Sequence, residues 1–413
     1  MKIGYLMQAS VADIRKIPYD GPSVHVRQVF YELQQLGHEV HLLAEFDKQL
    51  FQSAKLESFQ PVSVPWLDKG PLRWIESTIR RVQYELRLPY IAFFASTRFC
   101  MACYRAFRGY DFLYERMGWM GYGGVLASLC LGIPLILEVN GDFVAEFEML
   151  GVAAHGVQKW LEMFIMQRAI HRAAHIITAG EGWRASFIQR WQVDPAKVTS
   201  IENGSELVDL LQREQLHSFQ PVTDPDKPIT MAYLGGFHPW QGVTILINAF
   251  AKAIAQGLQA RLLLIGSGAN KGETEELVRN LKLEANVTFM GHMPAHEFAH
   301  HLAAADIAVS CYCGREEYSG LKLLDYKAAG CAIIASGKDN QPVILKHGET
   351  AWIVPPCDDT ALAQAMLHLS TNTALRRQLG QAARLDAELS HSWRHTAEQI
   401  VELVEQLRHK KQV

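Results

Sequence analysis

The feature that most constrains this chain is the alternation of short apolar runs with helical patterns along most of its length. Apolar runs typical of strands occur at residues 2–6, 39–44, 112–115, 135–139, 175–179, 229–234, 260–265, 287–290, 307–310, 332–335 and 351–354. Strands that are apolar throughout and separated by helices indicate parallel sheets covered on both faces. The sequence therefore predicts an α/β fold built from doubly wound parallel sheets.

Chain length and one break in this pattern predict two domains. A chain of 413 residues exceeds the size at which a single hydrophobic core usually stops growing. Residues 212–228 contain three prolines and no periodicity, which is typical of a linker. We therefore expect a first domain at residues 1–211, a second at 229–385, and a C-terminal helix at 386–413 that packs back towards the first domain.

Net charge, the N-terminal residues and the cysteines bear on where the protein works. The formal net charge of -3 gives no reason to expect a nucleic-acid partner. The first residues lack the long apolar segment of a secretory signal. The seven cysteines, at positions 100, 103, 130, 311, 313, 331 and 357, are scattered and mostly lie in apolar stretches. We interpret them as reduced core residues of a cytoplasmic protein.

The segment EEYSGLKLLDYKAAG, which ends at Gly330, contains two carboxylates separated by seven residues. Glu317 precedes Gly320, which allows close backbone approach, and Asp325 lies about a turn and a half inside the helix that follows. Two carboxylates in this arrangement can accept hydrogen bonds from neighbouring hydroxyls of a sugar or ribose, and a helix N-terminus attracts an anion. The segment therefore predicts a site for a small polyhydroxy ligand with an anionic group.

Polar residues also follow several predicted strands, at the ends where open α/β sheets bind ligands. In the first domain these are Gly21 and His25 after the first strand, Arg116 after the third, and Asn140 and Asp142 after the fourth. Because several converge from one domain, they favour a cleft over isolated loop caps. The second domain opens with YLGGFHPWQGVTILINAF, which indicates a strand, a glycine loop and a helix.

These segments follow the order found in a known family. The matching stretches are GHEVHLL at 37–43, LYER at 113–116, IPLILEVN at 133–140, ENG at 202–204, LLLIGSG at 262–268, VTFMGHM at 287–293 and AAADIAVS at 303–310. Together with the segment around Glu317, they resemble the retaining nucleotide-sugar glycosyltransferases of family 4. The resemblance implies a GT-B fold, in which two Rossmann-like domains enclose a cleft. The second domain would hold the donor nucleotide and the first would hold the acceptor.

The resemblance also implies roles for donor-binding residues. Where the family usually has Arg and Lys in its diphosphate loop, this chain has Gly236 and Gln241, so both usual cations are missing. We expect Lys322 to replace them. By the same resemblance, Glu317 contacts donor-sugar hydroxyls, and Asp325, which is shorter than the usual Glu, contacts the ribose hydroxyls. The other donor-binding residues implied by the family are Gly235, His238, His292, Met293, Ser319, Gly320 and Leu321.

On the acceptor side, Asn140 occupies the position at which many family members place a histidine beside the reacting carbon. An amide cannot act as an acid or base, so Asn140 is expected to orient hydroxyls. The acceptor side would also include Gly21, His25, Arg116 and Asp142. The implied reaction retains the α configuration and needs no metal or cofactor. UDP is the expected nucleotide, and the acceptor would be a glycan, a lipid-linked glycan or a small molecule, as in polysaccharide biosynthesis.

A basic, aromatic stretch lies in the first domain between Trp66 and Tyr110. It contains eight Lys or Arg residues against three acids. Such a stretch could lie on an anionic membrane surface, or it could form amphipathic helices that pack on the sheet. The first alternative would place a cytoplasmic enzyme at the inner face of the membrane.

Other functions compete with this interpretation. His296, Glu297 and His300 match the pattern of zinc proteases, and Glu316 or Glu317 could supply a third ligand, which would make the chain a zinc hydrolase. We interpret these histidines as part of a surface helix. The two missing cations are also consistent with a non-catalytic GT-B partner subunit. A GT-B epimerase would need an acid and base set that the sequence does not provide.

Overall fold

The structure is a computed structural model that describes residues 1–9, 12–17, 21–69, 71–86, 91–149, 151–213, 228–313, 320–338 and 342–412. The chain divides into two compact units. Unit 1 consists of Met1–Glu202 together with Ala397–Val413, and unit 2 consists of Asn203–Thr396. Each unit contains one β-sheet with helices on its faces.

Unit 1 contains an eight-stranded sheet. Its strands are β1 (Lys2–Met7), β2 (Glu39–Phe46), β3 (Gln49–Ser53), β4 (Gln60–Val62), β5 (Phe112–Arg116), β6 (Leu135–Val139), β7 (His175–Ala179) and β8 (Val198–Ile201). They lie in the order β4-β3-β2-β1-β5-β6-β7-β8. Strands β3 and β4 pair antiparallel at one edge, and the other neighbours are parallel.

The helices of unit 1 connect these strands. They are α1 (Gly21–Gln35), α2 (Pro65–Asp68), α3 (Pro71–Glu85), α4 (Phe93–Ala106), α5 (Gly123–Leu131), α6 (Phe143–Met149), α7 (Gly156–Arg172) and α8 (Glu181–Trp191). Every residue of β5, β6 and β7 is buried. Burial on both faces explains why these strands read as unbroken apolar runs rather than as alternating patterns.

Unit 2 contains a six-stranded sheet in which every neighbouring pair is parallel. Its strands are β9 (Ile229–Leu234), β10 (Ala260–Ile265), β11 (Val287–Gly291), β12 (Ile307–Ser310), β13 (Ala332–Ser336) and β14 (Trp352–Val354). They lie in the order β11-β10-β9-β12-β13-β14. The helices that follow the end of unit 1 are α9 (Leu207–Arg213), α10 (Val243–Ala255), α11 (Lys271–Asn280), α12 (Ala295–Ala303), α13 (Leu321–Ala329), α14 (Asp359–Thr371), α15 (Thr373–Ser390) and α16 (Trp393–Gln412).

The predicted α/β class is confirmed, and every strand predicted from an apolar run is present. The division between the units falls earlier than the expected boundary. Helix α9 lies within the expected first domain and the start of the expected linker, yet its apolar residues Leu207, Val208 and Leu211 pack into the core of unit 2. Residues 214–227 of the expected linker lie outside the described part of the chain. At the other end, helix α16 belongs to unit 1 from Ala397 onwards.

The interpretation of all seven cysteines as reduced core residues is wrong for three of them. Cys313 and Cys357 form a disulfide, with their Cα atoms 4.8 Å apart. They lie 44 residues apart in sequence, but both follow parallel strands of unit 2 and so meet at the same edge of the sheet. Cys130 is free but exposed. The sequence pattern reveals neither the pairing of Cys313 with Cys357 nor the exposure of Cys130.

The uncharged run at residues 117–137 contains helix α5 and most of strand β6. In the described part of the chain, no helix combines the length and the apolar character needed to cross a bilayer.

Candidate functional site

The candidate site of unit 2 begins in the glycine loop that follows strand β9. Gly242 ends this loop with a φ of +66°, and a Cβ at that position would lie 1.7 Å from the carbonyl oxygen of Cys311. Only glycine combines this backbone conformation with so close an approach. The start of α10 is therefore held against the segment that follows β12.

Lys322, the second residue of helix α13, reaches this loop. Its side chain is almost completely buried, at 8% exposed. The ammonium contacts Oε1 of Gln241 and lies 4.8 Å from the ring centroids of both Tyr233 and Tyr312. A Cβ on Gly235 would lie only 3.0 Å from Nζ of Lys322. The structure thus places a positive charge beside the glycine loop, between two aromatic rings that attract cations.

Two tyrosines and a glutamine fix the position of this ammonium. Nε2 of Gln241 donates to the hydroxyl of Tyr312 at 3.2 Å, and the hydroxyl of Tyr233 donates to the carbonyl of Gly236 at 2.7 Å. The amide oxygen of Gln241 therefore faces both Lys322 and the hydroxyl of Tyr233, which lies 3.1 Å away. Tyr233 and Tyr312 are not predicted by any sequence motif; their only signal is an aromatic residue at or just past the end of a strand.

His238 lies in the same loop, and its imidazole stacks on Trp240 with ring centroids 4.9 Å apart. Partial burial and the charge of Lys322 lower the pKa of His238 below its usual value. The ring is therefore neutral at pH 7, because the group loses its proton below that pH. A neutral imidazole can still donate one hydrogen bond to an anion without adding charge.

Asp325 lies about one turn after Lys322 on helix α13. Its Oδ1 accepts a hydrogen bond from the hydroxyl of Ser205 at 2.6 Å. Burial raises the pKa of Asp325 to about 7, the hydrogen bond from Ser205 opposes this rise, and the charge of Glu206 adds to it. No sequence pattern marks Ser205, because it lies 120 residues away from its partner.

The remaining donor-side residues are distributed around the same sheet edge. Gly320 adopts a φ of +58° at the residue before α13, and Leu321 is half-buried at the helix start. His292 is exposed after strand β11, whereas Met293 packs against the core of unit 2. Glu317 and Ser319 lie outside the described residues.

Unit 1 contains a separate buried cluster at the carboxyl ends of its parallel strands. Nε2 of His25, in the second turn of α1, pairs with Oε1 of Glu138, and both side chains are buried. Burial alone would raise the pKa of Glu138, but His25, Arg116 and Asn140 together lower it below its usual value. The carboxylate is therefore charged, and the pair fixes the second turn of the helix that begins at Gly21.

One of the expected acceptor-side residues keeps a donor without a partner. Nη1 of Arg116 is buried and has no hydrogen-bond partner among the described residues. The side-chain amide of Asn140 is directed to the carboxylate of Glu138. Asp142 is already engaged: it accepts from Nη2 of Arg190 at 2.7 Å and from the backbone N–H of Ala145 at 3.1 Å. Asp142 thus holds the start of helix α6, whereas Arg116 has a donor left for a ligand.

The competing zinc site was expected on helix α12. His296 is exposed there, and its Nε2 lies 3.8 Å from Oε1 of Glu297, its neighbour in sequence. The described residues contain no cluster of three or more His, Cys, Asp or Glu side chains able to hold a metal ion. Glu316 and Glu317, the proposed third ligands, lie outside the described part of the chain.

Comparison with known proteins gives two family matches that together span most of the chain. Residues 20–204 match the glycosyl transferase 4-like domain, and residues 215–386 match the glycosyl transferases group 1. The two matches fall largely within unit 1 and unit 2, respectively.

Curated relatives show moderate similarity over part of their length. A phosphatidyl-myo-inositol mannosyltransferase of Mycobacterium leprae is 27% identical over 63% of this chain and 68% of its own. A D-inositol 3-phosphate glycosyltransferase of Corynebacterium efficiens is 27% identical over 53% of each chain. An N-acetyl-alpha-D-glucosaminyl L-malate synthase of Bacillus anthracis is 29% identical over 41% of this chain and 43% of its own.

Solved structures extend the similarity to the whole fold. Sucrose-phosphate synthase from Thermosynechococcus elongatus covers 99% of both chains with a TM-score of 0.69 and 22% identity. Anabaena HepE, solved in complex with UDP, covers 98% of this chain and 100% of its own with a TM-score of 0.68 and 16% identity. At these identities the similarity establishes the fold, which is GT-B as expected. The chain belongs to the glycosyl transferases group 1, the family-4 type of glycosyltransferase.

Proposed function

We propose that this protein is a retaining glycosyltransferase that moves a sugar from a nucleotide-sugar donor, a UDP-sugar, to a glycan, lipid-linked or small-molecule acceptor. The observation that carries the proposal is the buried ammonium of Lys322 beside the glycine loop. The amide oxygen of Gln241 and two aromatic rings hold this ammonium against the loop. A donor diphosphate bound at the glycine loop would meet this positive charge, and a hydrogen bond to a charged group is stronger than one between neutral groups.

In the proposed reaction, charge accumulates on the diphosphate as the bond to the sugar breaks. The ammonium of Lys322 and main-chain N–H groups around Gly235 and Gly320 stabilise this charge, which is the kind of fixed electrostatic contribution that often dominates catalysis. The acceptor hydroxyl attacks from the same face, so the configuration is retained. The departing phosphate oxygen takes the hydroxyl proton. Asn140 orients hydroxyls, and Glu317 binds the donor sugar.

Removing the charge of Lys322 tests this role. Lys322→Met keeps the apolar stem and removes the ammonium, so affinity for a nucleoside diphosphate should fall about 10- to 100-fold, since a hydrogen bond to a charged group contributes roughly 1.5–3 kcal/mol. Lys346→Met, at a largely exposed lysine of the same unit, is the matched control. Equal diphosphate affinity in the two variants would contradict the proposal.

A charge relocation makes the test sharper. Gln241 occupies the usual Lys position of the diphosphate loop, and its side chain touches Lys322. Gln241→Lys alone should weaken function, because it sets two ammonium groups against each other. Combining Gln241→Lys with Lys322→Met should recover part of the lost diphosphate affinity. A double variant no better than Lys322→Met would show that the charge does not act through this loop.

The nucleotide is proposed to be UDP, in line with the UDP complex of the similar HepE structure. Thermal-shift measurements with UDP, GDP and ADP identify the base directly. The anomeric configuration of the product, read by NMR, tests retention. Undiminished turnover in EDTA is expected for a metal-independent reaction. If the isolated chain neither transfers nor hydrolyses any nucleotide-sugar, the protein would instead be a non-catalytic partner subunit.

For the acceptor, unit 1 offers Nη1 of Arg116, which has no hydrogen-bond partner among the described residues. The named relatives act on phosphatidyl-myo-inositol, inositol 3-phosphate and L-malate, all of which carry an anionic group. We propose that Arg116 meets such a group in the acceptor of this enzyme. Arg116→Gln should then raise KM for the acceptor with little change in KM for the donor. The opposite pattern would remove Arg116 from the acceptor side.

Helix α3 supports contact with a membrane. Glu76 is its only buried side chain, and this carboxylate pairs with Arg98 of α4 at 2.6 Å and with Arg80 at 2.7 Å. The helix is therefore held to unit 1 by a polar residue, while an apolar stripe at helical spacing stays exposed. The stripe consists of Leu72, Ile75, Ile79, Val82 and Leu86, each at least 40% exposed. An exposed apolar stripe beside arginines is typical of helices that lie on anionic bilayers.

We propose that the enzyme is cytoplasmic and docks on the inner face of the membrane; the exposed stripe of α3 supports the docking alone. Co-sedimentation with vesicles containing anionic lipid should fall strongly in Ile79→Glu, which places a charge within the stripe. Ser77→Glu adds the same charge on the opposite side of α3 and is the control. Arg80 is unsuitable for this test because it pairs with Glu76, the residue whose ion pair with Arg98 holds α3 to α4. Equal vesicle binding by both variants would contradict the docking.

A further inference from the structure

Ser205 is held rigidly between the end of unit 1 and helix α9. Its backbone N–H donates to the carbonyl of His391 at 2.8 Å, and its hydroxyl oxygen accepts from the backbone N–H of Leu207 at 3.1 Å. The residue is only 2% exposed. Both contacts lie within unit 2, so neither the backbone nor the side chain of Ser205 can turn away from helix α13 without breaking a hydrogen bond.

These contacts determine where the hydroxyl proton lies. The hydroxyl of Ser205 accepts from Leu207 and donates its single proton to Oδ1 of Asp325, 2.6 Å away. Oδ1 is therefore an acceptor. In the described part of the chain, no second side chain forms a hydrogen bond with Asp325. The other oxygen, Oδ2, is the one left to meet a ligand, and the residue remains partly exposed.

We propose that Ser205 is a positioning residue for the donor nucleotide: it holds Oδ1 of Asp325 as an acceptor, so that Oδ2 is presented to one hydroxyl of the ribose. This inference rests on the proposed function, in which Asp325 contacts the ribose. Asp325 has a shorter side chain than the usual Glu and so reaches less far towards the ribose. The hydrogen bond from Ser205 compensates by restricting the rotation of the Asp325 carboxylate. Ser205 and Asp325 then act as one ribose-binding unit assembled from two distant parts of the sequence.

The electrostatics of the pair support this geometry. Burial raises the pKa of Asp325 to about 7, and the hydrogen bond from Ser205 counteracts that rise. Helices α9, α12 and α15 pack against α13. The negative charge of Glu206, the residue just before α9, raises the pKa of Asp325 further. On α15, Asp386 is paired with Lys327. Without Ser205, Asp325 would keep its proton to a higher pH.

Binding of nucleoside diphosphate measured against pH tests the inference. UDP, GDP and ADP are each titrated by calorimetry between pH 5.5 and 9 into the wild type, Ser205→Ala, Ser205→Thr and Asp325→Asn. Titration of the ligand phosphate is common to all four proteins, so differences in midpoint belong to the carboxyl group. In the wild type, affinity should fall as pH drops through about 7, the pKa of Asp325.

The variants distinguish a positioning role of Ser205 from a purely structural one. Ser205→Ala should move the midpoint to higher pH, lower affinity at pH 7 roughly fivefold, and approach the wild type at pH 9. Ser205→Thr keeps the hydroxyl and should behave like the wild type, whereas Asp325→Asn should bind weakly with only the phosphate titration left. Weaker binding by Ser205→Ala with an unchanged midpoint would overturn the role of Ser205 alone. Wild-type affinity in Asp325→Asn would overturn the ribose contact itself, and with it this part of the proposed function.

Discussion

Glu115 provides the most direct test of how burial in this fold changes the pKa of a carboxyl group and, through it, the stability of the protein. It lies in strand β5 with no exposed surface, and neither carboxyl oxygen has a hydrogen-bond partner among the described residues. A Cβ on Gly124 would lie 2.2 Å from its Oε2, so the carboxyl group packs tightly against the first turn of α5. Burial raises the pKa of Glu115 from 4.5 to about 8.

The sign of the effect on stability follows from proton binding. Between pH 4.5 and about 8 the folded protein holds a proton on Glu115 that the unfolded chain has lost. The free energy of unfolding therefore decreases as pH rises through this window, by about 1.4 kcal/mol for each tenfold change in proton concentration. Over the whole window the loss reaches roughly 5 kcal/mol at most.

Replacing Glu115 by Gln keeps the shape and removes the titration. At pH 5 the two proteins should have similar free energies of unfolding, because Glu115 is protonated. At pH 8 the variant should be more stable by about 2–5 kcal/mol. Urea unfolding at pH 5, 6.5 and 8 measures the difference, and Glu57→Gln, at an exposed residue of the same unit, is the control. Parallel pH dependence of the wild type and Glu115→Gln would refute the reasoning.

Two further substitutions probe the candidate site of unit 2. Gly242→Ala would place a Cβ 1.7 Å from a main-chain oxygen, whereas Gly257→Ala, also at a positive φ, meets nothing within 4 Å. Thermal unfolding should therefore shift much further down for Gly242→Ala, and equal shifts would show that the loop relaxes. The Cys313–Cys357 disulfide closes a loop of 44 residues, so replacing Cys313 by Ser should destabilise unit 2 by about 2–4 kcal/mol. Adding reductant to the wild type should reproduce that loss, and resistance of both thiols to alkylation before reduction is the direct check.

The fold was readable from the sequence because parallel strands buried on both faces leave a simple signal. Strands β9, β10 and β12 coincide with their apolar runs. Strands β3, β4 and β8 escaped prediction. The first two pair antiparallel at an edge of the sheet and contain glutamines, so no apolar run marks them.

Residues of the candidate site could be predicted only where they lie close together in sequence or match the family pattern. The resemblance pointed to Lys322 as a substitute for the missing cations, and the structure brings it into contact with Gln241. Pairs joined across the fold left no local signal. The contact between His25 and Glu138 joins helix α1 to strand β6, and that between Ser205 and Asp325 depends on the packing of α9 against α13.

The cysteines show the same limit of sequence patterns. Spacing and apolar surroundings describe each cysteine separately, and by that measure Cys313 and Cys357 resemble the others. Their pairing follows from the sheet order, in which the strands that precede them flank β13. A sequence pattern does not carry that order, because it is a property of the folded sheet.

The division of the chain between the two units has a consequence for how the protein is made. Unit 2 is one continuous stretch, whereas unit 1 combines Met1–Glu202 with Ala397–Val413. Within unit 1, Arg408 of helix α16 forms an ion pair with Asp111 at 3.2 Å, and Val404 is buried. During translation, the part synthesised first must therefore wait for α16 before it is complete, while unit 2 can fold as soon as it leaves the ribosome. On the ribosome, unit 2 would therefore complete its folding before unit 1.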